Sequence, residues 1–264
     1  MMKNRHGIFL FIILFSSCQK VVTLNLKNTT PQLVIQGEIT DSPGPYTISI
    51  SETVDFYADN VFPGISGAIV KISDSDGITD SLTETSKGVY STHTLTGKPG
   101  NTYNLSVSLQ NVQYSAISTM PAVVPFDSLT ISSTSGFNQK RINAVVNFQD
   151  PAGVPNYYEF LEYINGQPFR NNIFVLSDRL SDGKYISSTL RTDSSYINTG
   201  DRVDVKMYTI DENIFNYFLQ LRQSSGTGAF NSTASPANPT SNISGGALGY
   251  FSAQTVQTKS IIVQ

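Results

Sequence analysis

Histidine is the side chain that titrates nearest neutral pH, and once a leader is removed this chain keeps one, His93. Many serines could complete a Ser-His-Asp set on paper, but no Gly-x-Ser-x-Gly elbow is present, so His93 reads as a strand-surface residue. Asp74, Asp76 and Asp80 fall within seven residues and suggest calcium, which takes carboxylate oxygens. Gly77 follows Asp74 too closely for the glycine of an EF-hand loop, and Asp76-Gly77 is what a type I′ hairpin turn demands. These aspartates are therefore expected to build a turn. Glu159 and Glu162 could be taken for a glycosidase pair, but residues three apart on a strand point to opposite faces and cannot flank one bond. Zinc lacks its His, Cys or carboxylate set. Gly226-Thr227-Gly228 lacks the lysine of a phosphate loop and follows a helical pattern where that motif precedes one. No catalytic residue, metal or cofactor is expected. Tyr157, Tyr158, Phe160, Tyr163, Phe169 and Phe174 could stack on a sugar or peptide; strand alternation should bury about half of them.

The elements that position these residues belong to a chain of 264 residues, 39% hydrophobic, with one Cys and no Trp. Its charged fraction, 14%, lies well below the usual ~25%, with Ser, Thr and Asn making up the difference. A formal charge of −3 argues against nucleic acid, which needs a basic footprint. A lone Cys excludes an internal disulfide and a thiolate cluster.

That Cys lies in the most informative stretch. Lys3 and Arg5 form a basic n-region, Ile8 to Phe15 an unbroken apolar run, and Ser16, Ser17 and Cys18 follow. Eight apolar residues span about 12 Å as a helix, short of the about 30 Å hydrocarbon core, so the run reads as a signal peptide over 1–17. Small residues before a lone Cys resemble the bacterial lipobox, with Phe15 standing where leucine is preferred. Its thiol receives diacylglycerol and the new N-terminus an acyl chain, and such chains hold a protein at the membrane. Losing Lys3 and Arg5 with the leader takes the formal charge to −5.

A tether, 18–30, leads into short strands punctuated by turns, the pattern of a sandwich or barrel. Seven candidate strands between Leu33 and Met120 predict an immunoglobulin- or transthyretin-like β-sandwich over 31–122. Pro121 to Pro125 marks a boundary: residues 30–122 carry nine acids and three bases, residues 123–264 eleven acids and ten bases. The second region, 123–264, reads as a β-rich sandwich or barrel with strands at 126–131, 142–148, 157–164, 169–176, 185–190, 203–210, 247–253 and 256–263. Ile214, Phe218 and Leu221 recur at helical spacing and predict one helix, about 211–225, capped by Thr209 or Asp211 and leaving Asn216, Gln220 and Arg222 outside. Thr209 and Glu212 fit a capping box, and a polar loop, 226–242, follows.

The blocks Leu33-Val34-Ile35-Gln36-Gly37-Glu38-Ile39-Thr40, Pro43-Gly44-Pro45-Tyr46, Ser66-Gly67-Ala68 to Asp76-Gly77 and Gly97-Lys98-Pro99-Gly100-Asn101-Thr102-Tyr103 are shared by many bacterial sandwiches. With Gly88-Val89-Tyr90, Pro239 and Asn242-Ile243-Ser244-Gly245-Gly246-Ala247-Leu248-Gly249-Tyr250-Phe251, they resemble a family of Bacteroidota outer-membrane lipoproteins catalogued as a domain of unknown function. The resemblance implies a lipid anchor in the outer membrane, genes beside TonB-dependent receptors and a role near nutrient import. It carries no catalytic residues. Gln19-Lys20-Val21-Val22 lacks the acidic residues of surface-exposed relatives, so the facing side stays open, with the cell surface favoured. Asp80-Ser81-Leu82 and Asp127-Ser128-Leu129 match the phylum's O-glycosylation pattern, making Ser81 and Ser128 candidates beside plain strand-edge serines.

The expected function is a non-enzymatic lipoprotein with its membrane and a TonB-dependent receptor as partners and a small ligand of unknown class. A freestanding adhesin or glycan-binding module is the alternative. The working surface is expected around the helix, the polar loop and the glycine-rich stretch, with Asn242, Gly245, Gly246, Gly249 and Tyr250 touching a partner or packing within the domain.

Overall fold

The computed structural model describes residues 30–55, 58–59, 61–135, 140–191, 197–224 and 238–264. Cys18 and most of the polar loop lie outside the described residues. The first eight strands are β1 (Leu33–Thr40), β2 (Thr47–Glu52), β3 (Ile69–Asp74), β4 (Thr79–Ser81), β5 (Thr83–Ser86), β6 (Val89–Ser91), β7 (Thr102–Leu109) and β8 (Val112–Thr119). They are followed by β9 (Ser128–Ser135), β10 (Lys140–Gln149), β11 (Tyr157–Ile164), β12 (Gln167–Ser177), β13 (Tyr185–Thr189), β14 (Arg202–Ile210), α1 (Glu212–Ser224) and β15 (Leu248–Ile262). The protein is mainly β and of sandwich type. Among the described residues no helix is long and apolar enough to cross a membrane.

Period-two alternation makes these strands. Tyr103, Leu105, Val107 and Leu109 of β7 are buried, while Asn104 and Ser106 between them are exposed. Gln110-Asn111 and Asn165-Gly166, all at positive φ, close the two-residue hairpins β7–β8 and β11–β12. The Asp76-Gly77 turn departs from type I′, because only Gly77 there has positive φ. Asp74 shapes it: Oδ1 accepts the Ile78 N–H at 2.9 Å, beside the backbone bonds from Asp74 N–H to the Ile78 carbonyl and from Gly77 N–H to the Asp74 carbonyl. The return from β3 is made by two strands that part at Leu82, β4 pairing with β3 and β5 with β6.

One sheet has the order β12-β11-β14-β15-β1-β2-β6-β5. Smaller sheets, β4-β3-β7-β8 and β13-β10-β9, complete two cores. The first core gathers Ile35, Ile48, Ile50, Ile72, Tyr90, Tyr103 and Leu105 together with Phe251 and Ala253 from the far end of the chain. The second gathers Phe126, Ala144, Val146, Phe148, Tyr158, Phe160, Val203 and Val205. Met120 belongs to the first core and Val124 to the second, and the eight-stranded sheet runs through both.

The spine is β15. Two strands are expected over 247–263, but the segment forms one, because Gln254-Thr255-Val256 contains no breaker. Its first half pairs in parallel with β1 (Leu248 to Gln254) and its second antiparallel with β14 (Thr255 to Ile262). Gly249 makes the parallel approach: at φ +95° a Cβ would stand 2.0 Å from the Ile35 carbonyl oxygen.

The helix cap is Asp211, whose Oδ1 accepts the Ile214 N–H at 3.0 Å. The Thr209–Glu212 capping box does not form: Thr209 is still paired to Thr255 in β14, and Glu212 is the first helical residue. The face set on the sheet is Ile214 and Tyr217, with Phe215 and Phe218 half-buried against Tyr157 and Tyr250. Tyr217 was not in the expected stripe. Nor is Gln220 free in solvent: its Oε1 accepts the Thr240 N–H at 2.8 Å.

Candidate ligand cleft

Several expected site residues are engaged within the chain. Asn242 brackets the start of β15, donating from Nδ2 to the Phe251 carbonyl at 2.7 Å and accepting the Phe251 N–H at 3.0 Å. Ile243 bridges Ala116, and Ser244 donates its N–H to the Ser115 carbonyl at 2.7 Å, so this stretch covers part of the β8 edge. Gly245 lies against Gln113 and Tyr114; Gly246 faces open space. Tyr250 packs on Tyr217 and Phe218 of α1 and donates its hydroxyl to Glu38 at 2.7 Å. Ser81 is exposed on β4, and Ser128 is half-buried at the start of β9.

The other candidates separate. His93 is exposed, with Nε2 and the Thr83 hydroxyl 2.8 Å apart. Asp80 accepts the N–H groups of His93, Thr94 and Leu95 at 2.7–2.9 Å. Burial alone would raise its pKa, but these donors outweigh it and hold the carboxyl below its usual range. Asp76 forms an exposed ion pair with Lys98 at 2.9 Å. Glu159 pairs with Tyr208 and Glu162 with Val205 in an unbroken register, placing the two glutamates on opposite faces. Both are buried. Burial, then the charge of Glu38, pushes Glu159 up to about 8, and burial pushes Glu162 up to about 7.

What the structure does assemble is a cleft of about 730 Å³ between α1 and the turns at the ends of β11 and β12. Two loops build its acidic side. Asp150 accepts the Tyr158 hydroxyl and, at 3.0 Å, the Gly183 N–H. Asp178 accepts the Asn156 N–H at 2.8 Å, and Asp182 the Gly153 N–H at 2.8 Å. Carboxylate oxygens of all three lie within 4.8 Å of one another. Such oxygens suit a hard cation, although both Asp150 oxygens already accept hydrogen bonds. The other wall is apolar: the Tyr157 and Phe215 rings meet at 5.1 Å between centroids, tilted by 37°, and Leu219, Val154 and Pro155 extend it. Burial, then the charge of Glu212, holds the Tyr157 phenol above its ordinary range.

The volume falls within the ~300–1,000 Å³ of small-molecule pockets. Of the six aromatics expected to divide between core and surface, Tyr158 and Phe160 belong to the second core and Tyr157 lines the cleft. The three-aspartate group is missing from the sequence reading because its members come from loops 28 residues apart. The signal was there in the turn-forming runs Asp150-Pro151-Ala152-Gly153 and Asp178-Arg179-Leu180-Ser181-Asp182-Gly183.

No curated protein matches the chain. A family model does, over residues 19–260: the protein belongs to the family described as Domain of unknown function (DUF4249).

Proposed function

We propose that the protein is a non-enzymatic lipoprotein of the Bacteroidota outer membrane that captures a small ligand as accessory to a TonB-dependent receptor in nutrient uptake. The observation that carries this reading is the leader: two bases, then eight successive apolar residues followed directly by two serines and the chain's one cysteine. The cleft beside α1 supports capture, since it offers a bounded volume with an aromatic wall and a charged rim. The placement of Glu159 and Glu162 on opposite faces of β11, and the use of the Asp80 carboxylate on three backbone N–H groups, support a binding role over catalysis, because general acid–base chemistry needs such groups within reach of one substrate.

Co-purification tests the reading. The acylated protein, drawn from detergent-solubilised outer membranes, is expected to bring a TonB-dependent receptor with it in stoichiometric amount. Recovery of the protein alone, from membranes that hold such receptors, would support the freestanding adhesin instead.

A further inference from the structure

The cleft combines two features that neither a neutral sugar nor a bare metal ion would require together. One side is an apolar wall, with the Tyr157 and Phe215 rings 5.1 Å apart and tilted by 37°, and Leu219 beyond them. The other carries Asp178 and Asp182 against one base, Arg179, while Glu212 of α1 lies beside the Tyr157 hydroxyl. Asp150 stands behind, one of its oxygens within 4.8 Å of one oxygen each of Asp178 and Asp182. The Asn156 and Gly153 N–H groups each take one oxygen, which leaves Asp178 Oδ1 and Asp182 Oδ2 without a donor among the described residues. Carboxylates this close repel one another when ionised, and a cation between them removes that cost.

We infer that the cleft binds an organic cation: a protonated amine on a flat apolar body, its head between Asp178 and Asp182 and its body against Tyr157 and Phe215. An ammonium donates three hydrogen bonds and so suits two oxygens that lack donors. The aromatic faces favour both the apolar body and the adjacent positive charge. Anions are turned away by the same acids. The inference deepens the capture reading and rests on it for its biological use, while the binding itself is measurable without any receptor.

Isothermal titration calorimetry of the full acylated chain in detergent, with EDTA in the buffer, decides the matter. The probes are tryptamine and tyramine, set against tryptophol and tyrosol, which carry a hydroxyl in place of the ammonium. The amines are expected to bind at least about tenfold more tightly than their alcohols. Asp182→Asn, at an exposed position where the amide oxygen can still accept the Gly153 N–H, should remove most of that difference. Phe215→Ala should weaken amines and alcohols by similar factors. Amines no tighter than alcohols, no binding by either, or a preference unaltered by Asp182→Asn would overturn the inference. So would amine binding that appears only when calcium replaces EDTA. Amine binding without receptor co-purification would overturn the receptor reading alone; the reverse result would overturn the cation alone.

Discussion

Glu162 is 2% exposed on the inner face of β11, and neither of its carboxyl oxygens has a hydrogen-bond partner among the described residues. A buried carboxylate without donors is costly, so folding favours the protonated form and the pKa rises to about 7. The raised folded pKa fixes the sign. At pH 4 folded and unfolded chains are both largely protonated and little is lost. The penalty grows as pH climbs above the unfolded value and is complete above about 7. Glu162→Met is therefore expected to stabilise the protein by about 1–3 kcal/mol at pH 8.5 and much less at pH 4, measured by urea unfolding. An effect equal at both pH values would contradict this assignment. Asp211 differs in its partners: burial also raises its pKa, but this half-buried carboxyl accepts bonds from the Ile214 N–H and the Ser118 hydroxyl. Asp211→Ala should cost about 2 kcal/mol, with Asp211→Asn recovering part of it in thermal melts.

At the scale of elements, β15 carries the most weight, since it pairs with β1 on one half and β14 on the other. Gly249→Ala would set a methyl 2.0 Å from the Ile35 carbonyl oxygen in a left-handed backbone. The expected loss is about 3 kcal/mol or more, read as a fall in Tm, whereas Gly246→Ala, with open space around it, should cost only its backbone strain. Strands such as β1, β7, β11 and β14 were legible in the sequence because alternation is local information. The parallel partnership of β1 and β15 was not, since it joins residues more than 200 positions apart and no local signal records it. The helix was legible in place and in part of its facing, with Ile214 and Phe218 inward and Asn216 outward; Tyr217 also turns inward because Tyr250 and Phe218 wait there, a choice made by tertiary packing. The cleft escaped for the same reason, as its two acidic loops meet only once β11 and β12 pair.

At the scale of the whole molecule, one long sheet carries two cores on its inner face, while α1 and the cleft lie at its β11–β12 end. A binding surface on a rigid sheet end suits a protein that presents a ligand to another. Capture for a membrane receptor requires a chain held at the membrane, and Cys18 is the residue that would hold it. The most direct measurement is fractionation of cells producing the wild-type chain or Cys18→Ser, followed by a high-salt wash of the membranes. The wild-type protein should remain with the outer membrane and carry the added mass of its acyl chains, and Cys18→Ser should pass into the soluble fraction. Retention of Cys18→Ser on washed membranes, or a wild-type mass without acyl chains, would contradict the lipid-anchored reading.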